Sequence, residues 1–278
     1  MNILSKIITY SERKTVMKKL IALVLSVLML TAVLAGCGSG TSLADVRKAG
    51  TLTIATSPDF PPFESLGEGN VVEGIEIDVL NKVCEQLGVT LTIQQMEFDS
   101  VLAGIAAGKF DLGASGITVT ESRKKNMLFT DPYCLAAQAI VVKAGSTVQT
   151  KADLAGKKVS VQTATTAEEY CMGNGYEVSA YEDNEVAQMA LLNGNVDAWV
   201  IDDLTAAEMV KAYNEENGEG ALVILPEAMT TEPYAFALQP GSDELAAEIN
   251  KIVNQMVADG TMAAIFEKYE APYTAPHN

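Results

Sequence analysis

An arginine set among hydroxyls and small residues is the strongest chemical feature of the chain. Residues 111–133 read Asp-Leu-Gly-Ala-Ser-Gly-Ile-Thr-Val-Thr-Glu-Ser-Arg-Lys-Lys-Asn-Met-Leu-Phe-Thr-Asp-Pro-Tyr. Residues 112–114 are short and apolar, as at the end of a buried strand, and Ser115-Gly116 breaks the run. Thr118 and Thr120 alternate with Ile117 and Val119, which turns their hydroxyls to one side of an extended segment. Thr120 is then placed to cap a short helix with Arg123 in its first turn. A cation there opposes the helix dipole, a penalty that a nearby anion would remove. A guanidinium binds a carboxylate bidentately, and a threonine hydroxyl serves either a carboxylate or an ammonium. The stretch therefore reads as a carboxylate clamp. A solvated arginine in a basic run with Lys124 and Lys125 fits the spacing equally well.

Other chemistries are thinly supplied. The single histidine, His277, adjoins the C-terminal residue, which leaves little for a histidine base or a histidine-rich metal site. Cys37, Cys84, Cys134 and Cys171 show no C-x-x-C spacing, against zinc or thioredoxin chemistry. Residues 104–109 read G-x-x-x-G-K, one residue short of a phosphate loop and lacking Ser or Thr after Lys109. No metal and no cofactor is expected. Net charge is -17, and without residues 1–36 the remainder holds 14 basic against 35 acidic residues, a net of -21. So acidic a body argues against nucleic acid and against broad electrostatic binding to anionic lipid. At 278 residues and 48% hydrophobic content the chain can build one large domain or two lobes with ample core.

The elements that must position Arg123 follow from patterning. Lys18 and Lys19 precede an apolar run over 20–35, interrupted by Ser26 and Thr31, and then Leu34-Ala35-Gly36-Cys37. A basic start, an apolar run and a small-residue end make 1–36 a secretory signal peptide, too short for a comfortable spanning helix. The tetrad resembles the bacterial lipobox, which implies cleavage before Cys37 and lipid on its sulfur and new amino group. Residues 37–44 would then be a lipidated tether whose small residues reach about 25 Å at roughly 3.5 Å per residue. Met17-Lys18-Lys19 is a more usual start than Met1.

Residues 51–56 alternate as a strand. Residues 57–64, with three prolines, make a rigid loop that displays Asp59, Phe60, Phe63 and Glu64. Ile77, Leu80, Val83, Cys84 and Leu87 share a helical face stopped by Gly88, and 89–93 is a second strand. Residues 137–143 form a β-branched strand leading to Gly145-Ser146, read as the first crossing into a second lobe. Residues 151–162 give a short helix, a glycine stop and a strand. At 163–170 a helix opens whose first N–H groups suit an anion. Thr165 and Thr166 are candidates there for ligand contact or for simple capping. A strand over 178–181, a helix over 184–193 and a buried strand over 196–201 holding Trp199 lead to Asp202-Asp203. Ligands in open α/β sheets bind at the carboxyl ends of strands, which favours Asp202. Asp203 better suits the cap of a helix over 204–213. A polar loop over 214–220, a strand over 222–225, an extended return over 230–238 and two helices from 240 onward complete the chain. The alternation predicts βαβ units and a largely parallel sheet.

The run SGITVTESRKKNMLFTDPY closely resembles the signature of bacterial extracellular solute-binding proteins of family 3, which serve polar amino acids. GIEIDVLNKVCEQLG and DGTMAAIFEKY resemble the same family, and the likeness covers about residues 45–270. It implies an α/β, two-lobed periplasmic-binding-protein fold (type II) with two hinge crossings. Residues 45–142 with 235–278 would form one lobe and 143–234 the other. It also implies that Thr118 and Arg123, with Ser115 and the carbonyl of Gly116, hold a ligand's α-carboxylate and α-amino groups. Phe60 and Phe98 would stack on the ligand, Asp202 would take its ammonium, and the turn at Thr165 and Thr166 would meet its carboxylate from the opposite lobe. Ala164 and Ala167 stand in that turn where glycine is usual. Asp59 and Glu64 are placed to meet a cationic or amide side chain, and Phe63 to pack in the core.

The function expected is capture of a free, polar or charged amino acid by hinge closure, for delivery to the permease of an ABC transporter. The protein would act as a monomer outside the cell or in the periplasm, held to the membrane through Cys37. No catalysis is expected. The competing class is an enzyme on the same fold, such as a dehydratase of cyclic amino acids, for which Glu64 is the one acid to nominate. A sensor domain is a third class. The residues leave the preferred side chain open.

Overall fold

The computed structural model describes residues 40–276. The expected signal peptide, Cys37 and His277 lie outside them. Two five-stranded sheets form the body. The first runs in the order Thr90–Gln95, Thr51–Thr56, Leu112–Gly113, Ala237–Leu238, Leu128–Phe129. The second runs Glu177–Tyr181, Lys158–Gln162, Ala198–Asp202, Gln138–Lys143, Leu222–Ile224. In each, three parallel strands are followed by two whose pairings are antiparallel, so the sheets are mixed rather than largely parallel.

The chain crosses between the sheets twice, and Cys134–Ala136 pairs antiparallel with Glu232–Tyr234 to form the connection. Gln138–Lys143, expected in the first lobe, pairs with Ala198–Asp202 in the second sheet, with Val141 opposite Trp199. All but its last residue are buried. A strand covered on both faces reads alike in either lobe, so its apolar run could not assign it. Hydrogen bonds from Val119 N–H to Pro233 O (2.9 Å) and from Ala235 N–H to Ile117 O (3.1 Å) fasten the segment before Arg123 to the return crossing.

Local chemistry explains the supporting helices. Ile75–Leu87 buries Ile75, Val79, Leu80, Val83 and Leu87. It stops where Gly88, at φ 73°, turns its N–H back to Cys84 O and Glu85 O. Trp199 is fully buried, as the strand pattern predicts. The helix expected over 204–213 runs from Asp203 to Asn217, so part of the expected polar loop is its last turn. Ser242 takes the N-cap position of Asp243–Ala258 but makes no side-chain capping bond.

Candidate functional site

One cavity between the two lobes, continuous in part with solvent, spans about 300 Å³ of space free of protein atoms. Each of the ten residues expected to face a ligand borders it, and so does Gln162. The first lobe supplies the arginine. Arg123 opens the short 3₁₀ turn Arg123–Lys125, and its backbone N–H donates to Thr120 Oγ1 at 3.1 Å. Its Nη1 donates to Thr118 O at 3.0 Å, which holds the guanidinium plane against its own loop. Its Nη2 reaches the second lobe and donates to Ala164 O at 3.1 Å. The guanidinium carbon lies 5.4 Å from the centre of the Phe98 ring, within cation–π range. Burial lowers its pKa from the ordinary value, and the nearby Glu232 and Asp202 carboxylates oppose that shift.

Ala164 adopts φ 64°, a left-handed conformation that costs a non-glycine residue roughly 1–2 kcal/mol. It does so with its carbonyl on Arg123 and its N–H on Glu168 Oε2 at 2.7 Å. The absent glycine therefore does not keep this turn from approaching the arginine. Thr165 is the N-cap of Thr166–Gly173: its hydroxyl accepts from Glu168 N–H at 3.2 Å and donates to Gln162 O at 2.7 Å. The hydroxyl of Thr166 accepts from Gln138 Nε2 at 3.2 Å.

The acid comes from the second lobe. Asp202 ends its strand, is buried, and accepts from Gln138 Nε2 at 2.9 Å. Burial, reinforced by the Glu232 carboxylate, pushes it up to about 8. Asp202 rather than Asp203 takes the N-cap position of the helix Asp203–Asn217, without a side-chain capping bond, because Asp203 is already the first helical residue. Asp203 has a structural role there: its Oδ1 accepts from Ala137 N–H at 3.2 Å and Leu204 N–H at 2.9 Å. Among the described residues neither Arg123 nor Asp202 forms an ion pair. The cavity thus holds a cation and an acid, each partnered by neutral groups.

The floor of the cavity is tightly built. Ser57 N–H donates to Ser115 Oγ at 3.0 Å. Gly116 sits at φ 54°, and a Cβ there would lie 2.5 Å from the Phe60 ring, so only glycine fits between that ring and the loop. Its N–H donates to Glu76 Oε2 at 3.3 Å, and Tyr133 OH donates to Glu76 Oε1 at 2.5 Å. Glu64, expected to greet a ligand side chain, does not border the cavity and is fully buried. Burial, with the adjacent Glu76 carboxyl, holds it well above the usual carboxylate range. Phe63 packs in the core edge-on to Tyr234, ring centres 5.1 Å apart.

Sequence reasoning missed Gln162 and Gln138. Gln162 ends a parallel strand just as Asp202 does, so its position carried the same signal. Gln138 begins its strand and reaches Asp202 only through the antiparallel pairing of those two strands.

Two lobes around a cavity, with a half-buried arginine on one side and a buried acid on the other, define a solute-binding protein. The chain belongs to the bacterial extracellular solute-binding proteins, family 3, whose model matches residues 52–272. It is 31% identical over 231 residues to the L-cystine-binding protein TcyJ of Escherichia coli (strain K12), covering 82% of this chain and 85% of that protein. Among solved structures it is similar to an ancestral arginine-binding protein bound to glutamine, at 36% identity and a TM-score of 0.73, covering 80% of this chain and 99% of that one. It is also similar to the ancestral amino acid-binding protein AncCDT-1, a precursor of cyclohexadienyl dehydratase. There identity is 32% and the TM-score 0.74, covering 82% of this chain and 98% of that one.

Proposed function

We propose that this protein captures a free, polar or charged amino acid between its lobes and delivers it to the permease of an ABC transporter. One observation carries the reading: Arg123 and Asp202 approach one cavity from different lobes, and neither is in an ion pair among the described residues. A free amino acid brings a carboxylate for the first and an ammonium for the second. Burying a zwitterion is costly unless both charges are paired, so closure and binding favour one another. Phe60 and Phe98 form apolar walls for the side chain, and Ser115, Gly116 and Thr118 offer polar contacts beside the arginine. The names of relatives, which include a cystine-binding and an arginine-binding protein, support an amino acid as the solute.

The role is binding and release without chemistry. Glu64 lies outside the cavity, which removes the acid that the sequence offers for a dehydratase. Lipid on Cys37 would hold the protein beside its permease on the outer side of the membrane. Mass spectrometry of the mature N-terminus tests that anchor, with a Cys37→Ala variant expected in the soluble fraction.

A thermal-shift panel of the twenty amino acids and cystine tests the function. A ligand at 100 times its dissociation constant should stabilise the protein by about 2.7 kcal/mol. No shift with any of them would overturn the reading.

A further inference from the structure

Asp59 lines the ligand cavity, yet its carboxylate faces the second lobe. It lies on the short strand Asp59–Phe60 of the first lobe. Its Oδ2 accepts from Gln162 Nε2 at 2.9 Å, Asn184 N–H at 2.8 Å and Asn184 Nδ2 at 3.2 Å. Its Oδ1 accepts from Ser57 Oγ at 2.8 Å. The two amides are themselves joined, Asn184 Nδ2 donating to Gln162 Oε1 at 3.1 Å, and Gln162 Nε2 also donates to Glu182 O at 3.2 Å. Asn184 and Gln162 are both buried. A carboxylate offers about four acceptor sites, and four donors already occupy this one. Little capacity is left for a ligand's side chain.

The position of Asp59 says what the network does. Asp59 borders the inner cavity and also two adjoining outer grooves that open to solvent and share Pro58, Leu66 and Glu185. It therefore stands in the wall that separates ligand from bulk water. The Gln162 and Asn184 donors come from the second lobe, so their bonds exist only when the lobes meet. Charge-assisted bonds of this kind are about twice as strong as neutral ones.

We propose that Asp59 is a latch for the closed state, a positioning residue that gathers Gln162 and Asn184 and seals the mouth of the cavity, rather than a counter-ion for the ligand. The proposal rests on the binding function above. A contact formed only after closure acts on release more than on encounter. It also acts equally on every ligand that lets the lobes close.

Stopped-flow binding and amide hydrogen exchange test it together. Asp59→Ala should speed dissociation of every bound amino acid by one common factor of about ten to one hundred, leave association nearly unchanged, and keep the order of preference. Asn184→Ala should do the same, and the double variant should be little worse than either single one, because both remove one network. A reordered preference between cationic and neutral amino acids would make Asp59 a ligand counter-ion and overturn the latch. Unchanged dissociation would overturn it as well. Should the wild-type protein bind no amino acid, the proposed function fails and exchange decides the latch separately. The Asn184 amide should exchange faster in Asp59→Ala than in wild type, and equal rates would overturn it.

Discussion

The two lobes equip the cavity in different ways. The first presents a cation that is already held, its guanidinium fixed by Thr118 O, by Ala164 O across the gap and by the Phe98 ring. The second presents an acid that is poorly compensated, buried beside Glu232 and raised to about 8, with an amide from Gln138 for a partner. Thr118 O and the Phe98 ring belong to the arginine's own lobe, so they can position it to dock a carboxylate before the lobes meet. Burial disfavours the charged form of the acid, and an arriving ammonium favours it. The contrast implies an order of events, with the first lobe docking the solute and the second responding on closure.

Several substitutions can break or sharpen this contrast. Arg123→Ala removes the docking charge and leaves a bound carboxylate buried and unpaired, at a cost of about 3–5 kcal/mol. Calorimetry should find amino-acid binding lost while the far-ultraviolet dichroism stays that of a folded protein. Asp202→Asn should weaken binding by about 2 kcal/mol and change its pH response. In the wild-type protein an acid with a pKa of about 8 must shed its proton to meet an ammonium. The bound state then holds fewer protons than the free state, so affinity should weaken as pH falls below that value, by about tenfold per unit at most. The side-chain amide of the Asp202→Asn variant cannot titrate, and its affinity should be flat over the same range.

The two left-handed turns give a pair of effects on stability that are opposite in sign. At Gly116 a methyl group would meet the Phe60 ring at 2.5 Å, so Gly116→Ala should lower stability by about 2–3 kcal/mol. At Ala164, with φ 64°, the strain is already present, and Ala164→Gly should relieve up to about 1 kcal/mol. Thermal melts should therefore move down for the first and up by roughly 3 °C for the second.

The first lobe's half of the site was far more legible in the sequence than the second's. Thr118, Thr120 and Arg123 lie within six residues, so one local turn brings them together. Asp202 could be told from Asp203 because one ends a strand and the other starts a helix. Gln138 and Asn184 gave no comparable signal, since their partners depend on strand pairing and on closure, whereas Gln162 shared the strand-end position of Asp202. The Glu64 and Glu76 carboxyls were hidden for a similar reason. Twelve positions apart, they meet only because the short hairpin folds back on the helix Ile75–Leu87. Asp59 borders the cavity, yet its hydrogen bonds run to the other lobe rather than into the space for a ligand.

Calorimetry with chemically blocked ligands tests the paired-charge claim most directly. The amino acid giving the largest thermal shift would be compared with its methyl ester, which lacks the carboxylate, and its N-acetyl form, which lacks the ammonium. Recognition at both ends predicts binding of the free amino acid and at least hundredfold weaker binding of each derivative. An ester or an N-acetyl form that binds as tightly as the parent would contradict the pairing of Arg123 and Asp202 with the two ends of one zwitterion.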